Sequence, residues 1–179
     1  ELAIPSRILE GIERSTLMRN EASEYVKRNF SKTDAQKFHA EMTKFLKKYE
    51  VDAVRNSRLF SDTLSTLEEL KLQGTKIGLV TNTSREAVDM VFRRHSLEAY
   101  FSTIITREDV DRLKPDPEGI LLAIGRLGVK NFFMVGDLVL DLIAAKNAKG
   151  ISIIVKRNPA EKVYLQADYC VQSLNEVPL

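Results

Sequence analysis

The chain has 179 residues, 44% apolar and 29% charged, a balance that excludes wholesale disorder and suits one domain with a small appendage. Its 27 Lys and Arg stand against 25 Asp and Glu, and a net charge of +2 gives no argument for nucleic acid or a membrane surface as a partner. The single cysteine, Cys170, cannot close an intramolecular disulfide, which excludes a disulfide scaffold and suits a reducing, cytoplasmic compartment.

Residues 1–60 read as a small all-helical unit. Ile8, Leu9 and Ile12 predict a short first helix, and residues 21–30 a second. Phe38, Met42, Phe45, Leu46 and Tyr49 fall on one stripe of a third helix, and its aromatic residues are expected to pack as core. Arg7, Arg55 and Arg58 read as solvated charges, one of which could face a cleft and hold an anion. His39 and His95 join no carboxylate motif and read as structural.

From Ser61 the texture changes to alternating strands and helices. Residues 62–73 form a helix that stops at Gly74. Residues 76–81 form a buried strand, and a helix follows from Thr83 with Glu86 completing a capping box. Residues 101–106 are the next strand. Asp116 and Pro117 open another helix as N-cap and first helical residue. Residues 131–135 and 151–155 are strands around a helix over 141–149, and residues 168–171 make a last short strand that buries Cys170. Strands alternating with helices predict an α/β fold: a Rossmann-like, mainly parallel sheet with helices on both faces, over residues 61–179. Ligands in such folds sit beyond the carboxyl ends of the strands.

Three strand ends carry candidate chemistry. Thr81 and Asn82 offer a hydroxyl and backbone N–H groups leading into a capped helix, a usable anion cradle. Lys114, biased toward extended backbone by Pro115, supplies a point charge suited to phosphate oxygens. Asp137 and Asp141 follow an apolar strand. Either they are an N-cap acid beside a solvated one, or a hard divalent cation such as Mg²⁺ offsets their repulsion.

Taken together, the apolar strand ending in Thr81, the run Leu113-Lys114-Pro115-Asp116-Pro117 and Gly136-Asp137-Leu138-Val139-Leu140-Asp141 resemble the second, third and fourth motifs of the haloacid dehalogenase-like superfamily. Ala144-Ala145-Lys146-Asn147-Ala148 continues the last motif as phosphoglycolate-phosphatase-like members do. The resemblance implies a helical cap over residues 1–60 and a Mg²⁺-dependent phosphomonoester hydrolase acting on a small phosphorylated metabolite. In that reading Thr81 and Lys114 act on the phosphoryl group, Asn82 adds a hydrogen bond, and Asp137 and Asp141 hold the metal. A sugar phosphate mutase, a dehalogenase and a catalytically inactive binding protein are the alternatives. The superfamily's first motif, Asp-x-Asp-x-Thr after an apolar strand, does not occur before Thr81. It would supply the nucleophile from a strand lying between those of the second and fourth motifs. An upstream segment carrying it is therefore expected before Glu1, because a sheet lacking that strand would keep an unpaired slot.

Overall fold

A computed structural model of the chain describes residues 15–157 and 166–177. The expected helix over Ile8, Leu9 and Ile12, and the site of Arg7, lie outside the described residues. Two helices, α1 (Ser15–Asn29) and α2 (Lys32–Val54), form an antiparallel hairpin. Ser31 sets the start of α2: its hydroxyl accepts from the Asp34 N–H at 3.2 Å and donates to the Asp34 carboxylate at 2.7 Å. Ala22, Val26 and Ala35 bury the hairpin's small apolar interior.

The expected stripe on α2 is helical but is not core. Phe45 and Tyr49 are 61% and 62% exposed and stack on each other with centroids 5.2 Å apart. Ala22, Val26 and Ala35 fill the α1–α2 interface, and Phe38, Met42 and Leu46 of the stripe are half-buried, which leaves Phe45 and Tyr49 outside. Arg55 and Arg58 are exposed, and Arg55 pairs with Asp52.

The α/β part follows the expected alternation: α3 (Thr63–Leu72), β1 (Gly78–Val80), α4 (Arg85–His95), β2 (Thr103–Ile105), α5 (Glu118–Leu127), β3 (Phe133–Gly136), α6 (Val139–Asn147), β4 (Ile151–Val155) and β5 (Tyr169–Val171). Every strand pair is parallel, with Leu79 opposite Ile104, Val135 opposite Ile153 and Ile154 opposite Cys170. Successive residues of β1 point to opposite faces. Leu79 joins Leu67, Val88, Phe92 and Leu97 beneath α3 and α4, whereas Val80 joins Ile120, Ala144 and Ala148 beneath α5 and α6.

Two caps fall one residue from their expected places. Ser84, not Thr83, caps α4, its hydroxyl accepting from the Ala87 N–H. Pro117 occupies the N-cap of α5, while the Asp116 carboxylate still accepts from the Glu118 N–H at 3.0 Å. Cys170 is exposed rather than buried, because β5 pairs on one side only and ends the sheet.

The strands divide into two sheets, β1–β2 and β3–β4–β5, and no described strand joins them. The free edges of β1 and β3 border one apolar cleft of about 640 Å³, lined by Gly78, Leu79 and Val80 on one side and Phe133, Met134 and Val135 on the other. Phe133 and Val135 are left partly exposed there. Below the cleft, Asp62 ties the start of α3 to the end of the chain. Both its oxygens lie 2.9 Å from the Arg157 guanidinium, and one also accepts from the Ser173 hydroxyl and the Leu174 N–H, each at 2.8 Å. No described helix is long and apolar enough to cross a membrane.

Candidate active site

The three segments singled out in the sequence meet at the carboxyl end of the cleft. Thr81 directly follows β1, and its N–H still donates to the Ile105 carbonyl at 3.0 Å, so the residue is held in register one step past the strand. Its hydroxyl accepts from the Thr83 N–H at 3.2 Å. Asn82 follows and turns its amide onto the backbone of Lys114, donating to the carbonyl at 3.1 Å and accepting from the N–H at 3.0 Å. This pair of bonds fixes the segment before the cis Lys114–Pro115 peptide.

Lys114 spans the cleft. Its ammonium donates to the Val80 carbonyl at the end of β1 and pairs with Asp141 Oδ1 on the β3 side, each at 2.7 Å. The side chains of Lys114 and Asp141 are 12% and 7% exposed. Charge-assisted bonds this short, shielded from water, are the strong class. Asp141 is further committed through Oδ2, which accepts from the Asp137 and Leu138 N–H groups at 3.2 and 3.1 Å. It stands in the first turn of α6, where a carboxylate meets unpaired N–H groups and the positive end of the helix dipole. Gly136 makes that position possible, since a Cβ there would overlap the Asp141 carboxyl. Asp137, one residue on, is exposed at the mouth of the site. One carboxylate, Asp141, thus pairs with one cation between the ends of β1 and β3, and Asp137 stands four residues before it in the chain.

Sequence reasoning placed Thr81, Asn82, Lys114, Asp137 and Asp141 and missed their supports. Glu50 on α2 accepts from the Ser84 N–H at 3.0 Å and makes a two-pronged pair with Arg107 in the turn after β2. Burial alone would raise the Glu50 carboxyl, but the Arg107 and Ser84 donors outweigh it and hold it below its ordinary value. Asn20 on α1 donates to the Leu113 carbonyl at 2.9 Å and accepts from the Leu113 N–H at 3.1 Å, next to Lys114. Arg107, placed directly after an apolar strand, carried a readable signal; Asn20 and Glu50, polar residues on an amphipathic helix, carried none.

Known proteins resemble this chain in sequence and in fold. Residues 9–155 match the haloacid dehalogenase-like hydrolase family. Pyrophosphatase PpaX of Bacillus velezensis is 36% identical over 118 residues, spanning 63% of this chain and 54% of the relative. PpaX of Bacillus mycoides is 31% identical over 156 residues, spanning 83% of this chain and 71% of the relative. The chain therefore spans about half the length of the first relative. The crystal structure of a HAD phosphatase from Thermococcus onnurineus superimposes with a TM-score of 0.66 at 27% identity, covering 89% of this chain and 86% of that one.

Proposed function

The chain belongs to the haloacid dehalogenase-like hydrolase family, and from that premise we propose that it forms the greater part of a Mg²⁺-dependent phosphomonoester hydrolase for small phosphorylated metabolites. The observation that carries the reading is Lys114, a cation suspended between the Val80 carbonyl and Asp141 at the mouth of an unfilled slot in the sheet. Phosphoryl transfer requires little beyond positioning and fixed positive charge where anionic oxygens gather. Lys114 meets the second requirement, and Asn82 and Asn20 meet the first by clamping the backbone on either side of the Leu113–Lys114 peptide.

The residues present fit Mg²⁺. The cation takes one or two carboxylates and completes its shell with water and substrate phosphate; Asp137 would supply a hard oxygen donor at the mouth of the site, with Asp141, whose oxygens already hold Lys114 and two backbone N–H groups, as the second carboxylate. No group of three or more ligating side chains occurs among the described residues, so the remaining ligands come from water, substrate or a further segment. When bound, the cation neutralises phosphate oxygens and orients the ester. Asp137, exposed and adjacent to Lys114's partner, is its principal holder in this chain; Asp141, with both oxygens engaged, orients Lys114 and the Asp137 backbone. Thr81 lends its hydroxyl proton to a phosphoryl oxygen, while its own oxygen stays oriented by the Thr83 N–H. The nucleophilic carboxylate comes from a strand that pairs with the free edges of β1 and β3 and so completes the sheet. The α1–α2 hairpin serves as the cap within residues 1–60, with residues 61–179 as the core.

The test is hydrolysis of p-nitrophenyl phosphate by the full-length protein. Turnover is expected with Mg²⁺ and not after EDTA. Full activity in EDTA would overturn the assignment of Asp137 and Asp141, and no activity in either condition would favour an inactive binding protein.

A further inference from the structure

Six buried side-chain polar atoms among the described residues have no hydrogen-bond partner, and five of them belong to α1, α2 and the turn after β2, where the charge of Arg107 reaches Arg19 and that of Arg19 reaches His39. They are Arg19 Nε and Nη1, Ser23 Oγ, His39 Nε2 and Arg107 Nε. Arg19 and Ser23 lie one turn apart on the same face of α1, His39 is on α2, and Arg107 is in the turn after β2. Buried polar groups are paired in folded proteins almost without exception, so a concentration of orphans marks a place where something else accepts their hydrogens.

The two guanidinium groups differ in how they are compensated. Arg107 is held by both oxygens of Glu50, with Glu108 3.8 Å away. Arg19 is 6% exposed and forms no ion pair with a described carboxylate. Burial, and then the charge of Arg107, push the Arg19 guanidinium below its ordinary pKa. Burial, and then the charge of Arg19, push the His39 imidazole down in the same way. Above the cluster, the Lys27–Asp111 pair sits 3.2 Å apart with the Asp111 side chain 77% exposed, forming a polar rim open to water. A compact oxyanion offers several acceptors at once and matches guanidinium forks.

We propose that Arg19, with Ser23, His39 and Arg107, forms a second anion site at the seam of α1, α2 and the turn after β2, taking a phosphate or carboxylate group. The site is separate from the one around Lys114. The charges acting on Arg19 are Arg107, Glu108 and Asp111, none of them in the proposed phosphoryl site. The two are joined mechanically, because Asn20, the neighbour of Arg19, grips Leu113 beside Lys114. The anion is either free phosphate or the distal charged group of a substrate.

His39 and His95 are the chain's two histidines, which makes a direct test simple. Imidazole NMR signals would be followed in full-length protein carrying Lys114→Met while inorganic phosphate is titrated against chloride of equal ionic strength. The expected result is a saturable shift of the His39 signals and a raised His39 pKa, with His95 unmoved. Arg19→Gln should weaken phosphate binding at least about tenfold, the scale of one lost charge-assisted pair. Should that variant not fold, Arg19→Met, which removes the unpaired charge from the interior, serves the same comparison. No saturable shift, equal shifts of both histidines, or unchanged binding in the Arg19 variant would overturn the site; none of these readouts depends on catalysis. With binding established, a rise in the KM of Arg19→Gln for a carboxylate-bearing ester such as phosphoglycolate, relative to p-nitrophenyl phosphate, assigns the site to the substrate's distal group. An unchanged ratio assigns it to a free anion.

Discussion

Lys114→Met removes the one cation that bridges the two halves of the site while keeping side-chain length. Its structural consequence can be worked from the contacts. Asp141 Oδ1 loses its 2.7 Å partner in a side chain only 7% exposed, and the Val80 carbonyl loses a charged donor. Oδ2 keeps its two backbone N–H donors, so the carboxylate is not wholly abandoned. Stranding one member of a buried pair costs about 3–5 kcal/mol, and the retained bonds put this case near 3. For a chain of this length that is a fall in melting temperature of about 6–12 °C. Mg²⁺ should recover part of the loss by binding the folded state beside the freed carboxylates. Phosphoryl transfer should slow by about 100-fold or more, the scale for losing one preorganised charge. Asp141→Asn in the same chain should restore stability without restoring rate, because no uncompensated charge remains. Melting and turnover would be measured for both variants with and without Mg²⁺. If Lys114→Met matched the parent in both, Lys114 would be an ordinary solvated lysine and the reading of the site would fail.

Other expectations follow from single contacts. Asp137→Asn should raise the Mg²⁺ concentration for half-maximal activity by about tenfold or more, since a formal charge leaves the metal's surroundings; an unchanged metal titration would remove Asp137 from that role. Asn82→Ala breaks both side-chain bonds to the Lys114 backbone, at about 1–2 kcal/mol of stability, and should lower kcat more than it raises KM. A Michaelis analysis with KM alone affected would refute positioning by Asn82. Asp62→Ala leaves Arg157 unpaired and should destabilise by about 3 kcal/mol in denaturant melts. The hydrogen bond from Arg157, with those from Leu174 and Ser173, holds the Asp62 carboxyl well below the usual range despite burial. Its folded pKa is depressed, so its stabilisation is full above the unfolded value of about 4 and is lost as pH falls through the folded value. The Asp62→Ala variant should therefore show a flatter decline of stability below pH of about 4 than the parent.

The fold was legible where periodicity and strand ends coincide. The residues 76–81, 101–106, 151–155 and 168–171 each contain the strand that forms, and 131–135 holds all of β3 but Gly136, because parallel strands covered by helices read as short apolar runs bounded by turns. The tertiary destination of apolar surface was less legible. The stripe on α2 has the right period for a core, yet Phe45 and Tyr49 face outward, since period tells which residues share a face and not what covers it. Cys170 failed for a related reason: its strand forms, but lies at a sheet edge that no run of residues announces. At the site, Lys114 and Asp141 could be named individually, while their mutual pairing across the cleft could not. Asp141 reads equally as a helix-capping acid or a metal ligand, and in the structure one oxygen does the capping while the other holds Lys114.

Several polar contacts fasten the hairpin to the α/β part. Glu50 with Arg107 and Ser84, Asn20 with Leu113, Lys47 with Glu86 and Arg112 with Glu24 cross the seam. Each such bond nets only about 1 kcal/mol, because water replaces it when the seam parts, and exposed pairs such as Lys47–Glu86 contribute less. An apolar seam of the same extent would resist parting by its whole buried area. The polar one can part in steps, exposed pairs first, with the shielded Arg107–Glu50 contact acting as the last hold. That contact lies at the end of β2 and touches the first turn of α4, directly behind Thr81 and Asn82 in the chain. The hairpin is thus anchored by the Glu50 and Asn20 side chains to the same short loops that carry the candidate site residues, so a shift of α1 or α2 would be felt at Ser84, Arg107 and Leu113.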